Sequence, residues 1–108
     1  MKIHIRERNV AVTKDLRAHV ERRLGFALSR FGDGIGRVTV RFSETNGRGN
    51  GVDRRCQIHV DLRPRSVQVE DTDANLFAAV DHAADRVGRS VARALELERE
   101  RDEGLIGS

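Results

Sequence analysis

Arg37-Val38-Thr39-Val40-Arg41-Phe42 alternates apolar and polar side chains. A period of two places successive side chains on opposite faces of a strand, so Val38, Val40 and Phe42 share one face and Arg37 and Arg41 the other. The alternation recurs downstream, where Cys56, Ile58, Val60 and Leu62 point inward, and upstream in residues 2–8, where Ile3 and Ile5 do. After the turn Arg63-Pro64-Arg65, Val67 and Val69 mark a fourth strand; Pro64 is tolerated there because a turn needs no ladder donor. Each strand has one apolar face. The opposite face reads Lys2, His4, Arg6, Arg8, Arg37, Arg41, Arg55, His59 and Arg63, a surface suited to an anionic partner.

Two helices are predicted to cover the apolar face. Thr13 reads as the N-cap of the first, Asp15 favours its positive first turn, and Leu16, Val20, Leu24, Ala27, Leu28 and Phe31 recur at helical spacing. Gly32 supplies its left-handed stop. The second helix is expected from about Asp73, its cap, to about Arg99, with Leu76, Val80, Ala83, Ala84, Val87, Val91 and Leu95 as the buried stripe. Gly88 sits beside that stripe, where a neighbouring element would approach closely. The order strand, helix, three strands, helix predicts an α+β two-layer sandwich: a four-stranded sheet in β-α-β-β-β-α order with both helices on one face. The first helix is then a crossover returning strand two parallel to strand one.

The 108 residues suffice for one domain, taken as 1–101, with 102–108 expected to be a flexible tail. Residues 1–69 hold fifteen Lys/Arg against seven Asp/Glu, and residues 70–108 hold five against ten, so the formal charge of +3 is unevenly spread. Eighteen of the twenty basic residues are arginine, whose planar fork grips phosphate through paired hydrogen bonds and stacks on bases. No apolar run approaches the ~18 residues that suggest a membrane span, and the N-terminus has no signal-peptide pattern, so a cytoplasmic protein is expected. Cys56 cannot form an internal disulfide, and its inward position suggests an inert thiol.

At 100° per residue, Arg86, Arg89 and Arg93 fall with His82 in a narrow band opposite the buried stripe, along about 10 Å of helix. Asp85 and Glu96 are within reach of Arg89 and Arg93, but exposed pairs of this kind yield readily to phosphate. On the first helix Arg17 pairs with Glu21 by spacing, whereas Arg22 and Arg23 have no evident partner and are the better RNA-binding candidates. Arg30 meets similar competition. Arg6, Arg8, Arg37 and Arg41 on the sheet complete the candidate set. The sheet and the helix band look in nearly opposite directions, so they cannot press on one flat surface; a cleft lined by nucleic acid would engage both. The open sheet face has no aromatic side chain for stacking bases, which argues against the common four-stranded single-strand RNA module.

Enzymatic readings lack support. The four histidines have no metal-ligand spacing, although His4 and His59 are potential neighbours on the sheet, and no nucleophile is placed to use a base. Residues 45–51 form a glycine-rich loop with Arg48 near its tip, but contain no Walker lysine and open no helix. No metal, cofactor, small-molecule substrate or membrane partner is expected.

The run from Arg8 through Thr13, followed by Leu16-Arg17-Ala18-His19-Val20-Glu21-Arg22-Arg23-Leu24, and later Asn75-Leu76-Phe77-Ala78-Ala79-Val80-Asp81 with Asp85-Arg86-Val87, resembles the ribosome hibernation promoting factor and ribosome-associated inhibitor family, also called sigma-factor modulation proteins. The likeness extends over about residues 2 to 95 and rests on order and spacing. It implies the same fold and a non-enzymatic translation inhibitor that enters the messenger and transfer RNA groove of the small ribosomal subunit, touching its 16S-type ribosomal RNA. By position, Arg23, Arg86, Arg89 and Arg93 match basic residues the family directs at ribosomal RNA; Arg22 joins them on charge alone. The chain departs from the family in its acidic helix end, Leu95-Glu96-Leu97-Glu98-Arg99-Glu100, and in Phe77 where tyrosine is common. The resemblance implies a short form, expected to act as a monomer. The alternatives are an RNA-binding module recognising duplex shape and a protein-interaction regulator of transcription.

Overall fold

The computed structural model describes residues 1–46 and 52–106. In chain order they form β1 (Lys2–Arg8), α1 (Lys14–Leu28), a 3₁₀ segment (Ser29–Gly34), β2 (Arg37–Asn46), β3 (Val52–Asp61), β4 (Ser66–Asp73) and α2 (Leu76–Ile106). The sheet order is β1-β2-β3-β4, with β1 parallel to β2 and the other pairs antiparallel. The expected α+β architecture is therefore the observed one, and α1 provides the crossover that a parallel pair requires.

Register explains why one face is the core. Ile3, Val38, Val60 and Val67 align across the sheet, as do Ile5, Val40, Ile58 and Val69. Onto these rows α1 lowers Leu16, Val20, Leu24 and Leu28, and α2 lowers Val80, Ala83, Ala84, Val87 and Val91, all buried. The third inward row reads Glu7, Phe42, Cys56, Asp71, with apolar residues at its centre and carboxylates on the two edge strands. Each carboxylate finds a partner: Glu7 Oε2 accepts from the Val12 N–H at 2.9 Å, and Asp71 forms an ion pair with Arg86 at 3.6 Å. Cys56 is fully buried, and burial, with a smaller contribution from the Asp71 charge, pushes its thiol up to about 12.

The element ends refine the expectations. Thr13 Oγ1 accepts from Leu16 N at 3.1 Å and caps α1 as predicted. The α-helix closes at Leu28, however, and a 3₁₀ segment intervenes before the chain turns; Gly32 adopts φ 55 inside that segment. At the other helix Asn75, not Asp73, is the cap. Its Oδ1 accepts from Phe77 N at 2.8 Å, while Asp73 belongs to β4 and its carboxylate accepts from Asn75 N at 2.9 Å. The inward valines mark only the middle of β4, which hid its full length. α2 also continues beyond Arg99 to Ile106, and an Arg65–Glu98 ion pair of 3.3 Å ties the helix to the β3–β4 turn. Within the glycine-rich segment, Thr45 and Asn46 are part of β2, and Arg48 lies outside the described residues. Among the described residues no helix is long and apolar enough to cross a membrane.

The two helices pack tightly at Gly88. A Cβ there would lie 3.4 Å from both the Cβ and the carbonyl oxygen of Ala27, which confirms the close approach read from the sequence.

Candidate nucleic-acid interface

The outward face of the sheet is a polar grid. Its rows run His4-Thr39-His59-Gln68, Arg6-Arg41-Gln57-Glu70 and Arg8-Ser43-Arg55-Thr72, with the pairs Lys2-Arg37 on β1–β2 and Asp61-Ser66 on β3–β4 at one end. Positive charge is concentrated on β1 and β2. There Lys2, Arg6, Arg8, Arg37 and Arg41 are exposed, whereas the β3–β4 half brings in Asp61 and Glu70. These carboxylates engage their neighbours: His59 Nε2 lies 3.2 Å from Asp61, and Arg55 Nε lies 3.7 Å from Glu70. The cationic sheet face expected from sequence is therefore concentrated on its β1–β2 half. The same strand alternation that turns the basic residues outward turns Asp61 and Glu70 outward beside them. Arg63 also leaves the list, because β3 ends at Asp61 and Arg63, with φ 50, directs its N–H to the Arg65 carbonyl in the turn. His4 and His59 share a row but are separated by Thr39.

On the helical layer the arginine band divides. Arg86 leans to the edge of the sheet: its Nη1 donates to the Glu70 carbonyl at 2.9 Å and lies 3.6 Å from Asp71 Oδ2, with His82 3.9 Å from the same carboxyl group. Its guanidinium thus covers the outer edge of β4, where unpaired backbone groups need a partner. Arg89 leans the other way, toward α1, and pairs with Asp85 at 3.1 Å in the i,i+4 contact expected from sequence. Arg93 is exposed and makes no ion pair among the described residues, so the Arg93–Glu96 pair does not form; neither does Arg17–Glu21. A helical projection measures angle around one axis. It cannot see that a band about 60° wide straddles two different neighbours.

Arg23 needs a similar correction. Far from lacking a partner, its Nε lies 3.1 Å from Asp81 of α2, and the same carboxylate oxygen receives His19 Nε2 at 2.6 Å. Arg22 Nη2 meets the other ring nitrogen of His19 at 3.1 Å, and Phe77 packs edge-on against the imidazole at 5.0 Å. When Arg22 donates to Nδ1, the neutral ring must carry its proton on Nε2, facing Asp81. His19, Arg22, Arg23 and Asp81 thereby latch the first helix to the second. Arg23 remains 39% exposed, and a pair so accessible contributes little and exchanges readily.

Beside this latch the helices leave an open groove of about 190 Å³, lined by Arg23, Phe26 and Arg30 of α1 and its 3₁₀ extension and by Asp85, Gly88 and Arg89 of α2. Sequence reasoning passed over Phe26, which is 84% exposed, and left Arg30 outside the candidate set. A signal was available for Phe26. It falls off the Leu16-Val20-Leu24-Leu28 stripe and stands four residues from both Arg22 and Arg30, so it is an apolar residue on the cationic side of the helix. The Arg30 guanidinium is held 4.7 Å above the Phe31 ring by a cation–π contact.

A β-α-β-β-β-α sandwich with arginines on both layers can be compared with known proteins. The profile of the family described as "Sigma 54 modulation protein / S30EA ribosomal protein" matches residues 3–98. The chain belongs to this family. Within the S30EA family, it is 29% identical over 86 residues to a ribosome hibernation promotion factor of Deinococcus radiodurans, a match covering 80% of this chain and 44% of that protein. The chain thus spans less than half the length of that curated relative. The crystal structure of the Thermus thermophilus Protein Y N-terminal domain superposes with a TM-score of 0.71 at 36% identity, covering 86% of this chain and 98% of that one. A ribosomal subunit interface protein from Coxiella burnetii shares the fold at 16% identity, with a TM-score of 0.74 over 89% of this chain and 99% of the other.

Proposed function

We propose that this chain is a non-enzymatic, ribosome-associated translation inhibitor, a hibernation factor of the cytoplasm, whose residues 1–101 act as a monomeric wedge in the messenger and transfer RNA groove of the small subunit. The observation that carries this reading is the disposition of cationic groups on a rigid two-layer slab. Arg22, Arg23, Arg89 and Arg93 project from the helices, and Lys2, Arg6, Arg8, Arg37 and Arg41 from the far side of the sheet. Two opposed cationic faces suit a cleft with RNA on both walls. The name of the curated relative, a ribosome hibernation promotion factor, points the same way. Arg86 has a smaller part here, since its guanidinium is committed to the edge of β4.

The test is co-sedimentation with purified 30S subunits through sucrose at 50 and 200 mM salt. Wild-type protein should travel with the subunit at the lower salt and release steeply by the higher, because every phosphate contact liberates counterions. An Arg22→Glu, Arg89→Glu, Arg93→Glu variant should stay at the top of the gradient while keeping its circular-dichroism spectrum. Equal co-sedimentation of the two proteins would overturn the helix face as the binding surface, and a wild type that ignores 30S particles at 50 mM would overturn the function.

A further inference from the structure

We infer that the groove between α1 and α2 receives one unpaired RNA nucleotide, its base stacked on Phe26 and its flanking phosphates held by Arg30 and Arg89. This rests on the RNA-binding reading above and assigns it a specific contact. A phenylalanine with 84% of its surface in water is unusual in a chain whose described core is otherwise aliphatic apart from Phe42, and Arg23, Arg30 and Arg89 stand around it above a floor of Ala27, Ala84 and Gly88. The groove is open, about 190 Å³, and presents a single exposed aromatic ring at its wall, so one base can stack there. Three of its lining residues are arginines, against one carboxylate, Asp85, that already belongs to Arg89. An apolar protein surface docking on Phe26 would have to desolvate all three guanidiniums, whereas a nucleotide brings the π-face and the negative charge together. Arg30 is pre-set by its stacking on Phe31, so less side-chain freedom is lost when a phosphate arrives.

The chain contains no tryptophan or tyrosine, so Phe26→Trp creates a lone indole reporter. Its fluorescence should be quenched on titration with 30S subunits and, more weakly, with a short single-stranded oligoribonucleotide, but not with a duplex of the same sequence. Phe26→Ala and Phe26→Leu should each weaken 30S binding between about fivefold and a hundredfold, the range expected for loss of one base stack, with melting temperatures unchanged because the side chain is outside the core. The inference is overturned if Phe26→Leu binds like wild type and the indole is not quenched, which would make Phe26 an apolar contact for a ribosomal protein. It is equally overturned if Phe26→Ala binds 30S as well as wild type; in that case the ribosome-binding reading survives. Failure of wild type to bind 30S at all would remove both.

Discussion

Arg86 and Arg93 look equivalent on a helical projection, and replacing each by alanine separates a structural arginine from a binding one. The Arg93 guanidinium is exposed and has no ion partner among the described residues, so Arg93→Ala should leave stability within about 0.5 kcal/mol of wild type. Its effect belongs in the salt dependence of 30S binding. Losing one phosphate contact should flatten the slope of log K against log salt by about 0.7–0.9, so the affinity gap to wild type narrows roughly threefold between 50 and 200 mM. Arg86→Ala removes a hydrogen bond of 2.9 Å to the Glu70 carbonyl and an ion pair with Asp71, whose side chain is 23% exposed against 54% for Arg86. A charge-assisted bond of this sort stabilises by ~1.5–3 kcal/mol when dry; half-exposure reduces it to about 1 kcal/mol, or a fall of ~4–8 °C in melting temperature. The assays are fluorescence anisotropy across a salt series and thermal unfolding followed by circular dichroism. If Arg86→Ala flattens the salt slope as much as Arg93→Ala and melts like wild type, Arg86 exchanges Asp71 for phosphate and the division of the band is wrong.

Substitution and labelling at two buried positions, Gly88 and Cys56, check the packing. Gly88→Ala should be neutral or stabilising by up to ~1 kcal/mol, because its Cβ reaches ordinary contact with Ala27 while helix propensity improves; Gly88→Leu should force the helices apart and lower the melting temperature by several degrees. Cys56 should react with a thiol reagent at pH 8 only as fast as the protein unfolds, since its folded thiol ionises near 12. A raised folded pKa means the unfolded chain loses this proton first, so the thiol's contribution to stability is intact below about pH 9 and declines as pH rises toward 12. Cys56→Ala should show a shallower alkaline decline in a denaturant series.

The sheet, its crossover and the buried stripes were legible because they depend on local periods. Ile3, Val40 or Ile58 declares its face through its immediate neighbours, and Thr13 declares a helix start through a contact three residues away. Helix and strand ends were harder to place. Asp73 reads equally well as a cap or as the last residue of a strand, and only pairing with Arg54 on β3 assigns it to the sheet. The arginines were harder still. Nothing near Arg23 in the chain hints at Asp81, and nothing near Arg86 hints at the Glu70 carbonyl.

From its order of residues alone this protein is committed to an aliphatic core with arginine outside, since which way a side chain points follows from backbone geometry within a few residues. Which arginines are occupied by carboxylates, which stay open, and that Phe26 stands among them were decided only when α1 met α2 and α2 met β4. An ion pair depends on distance in space, and that distance is set by the packing of elements far apart in the chain.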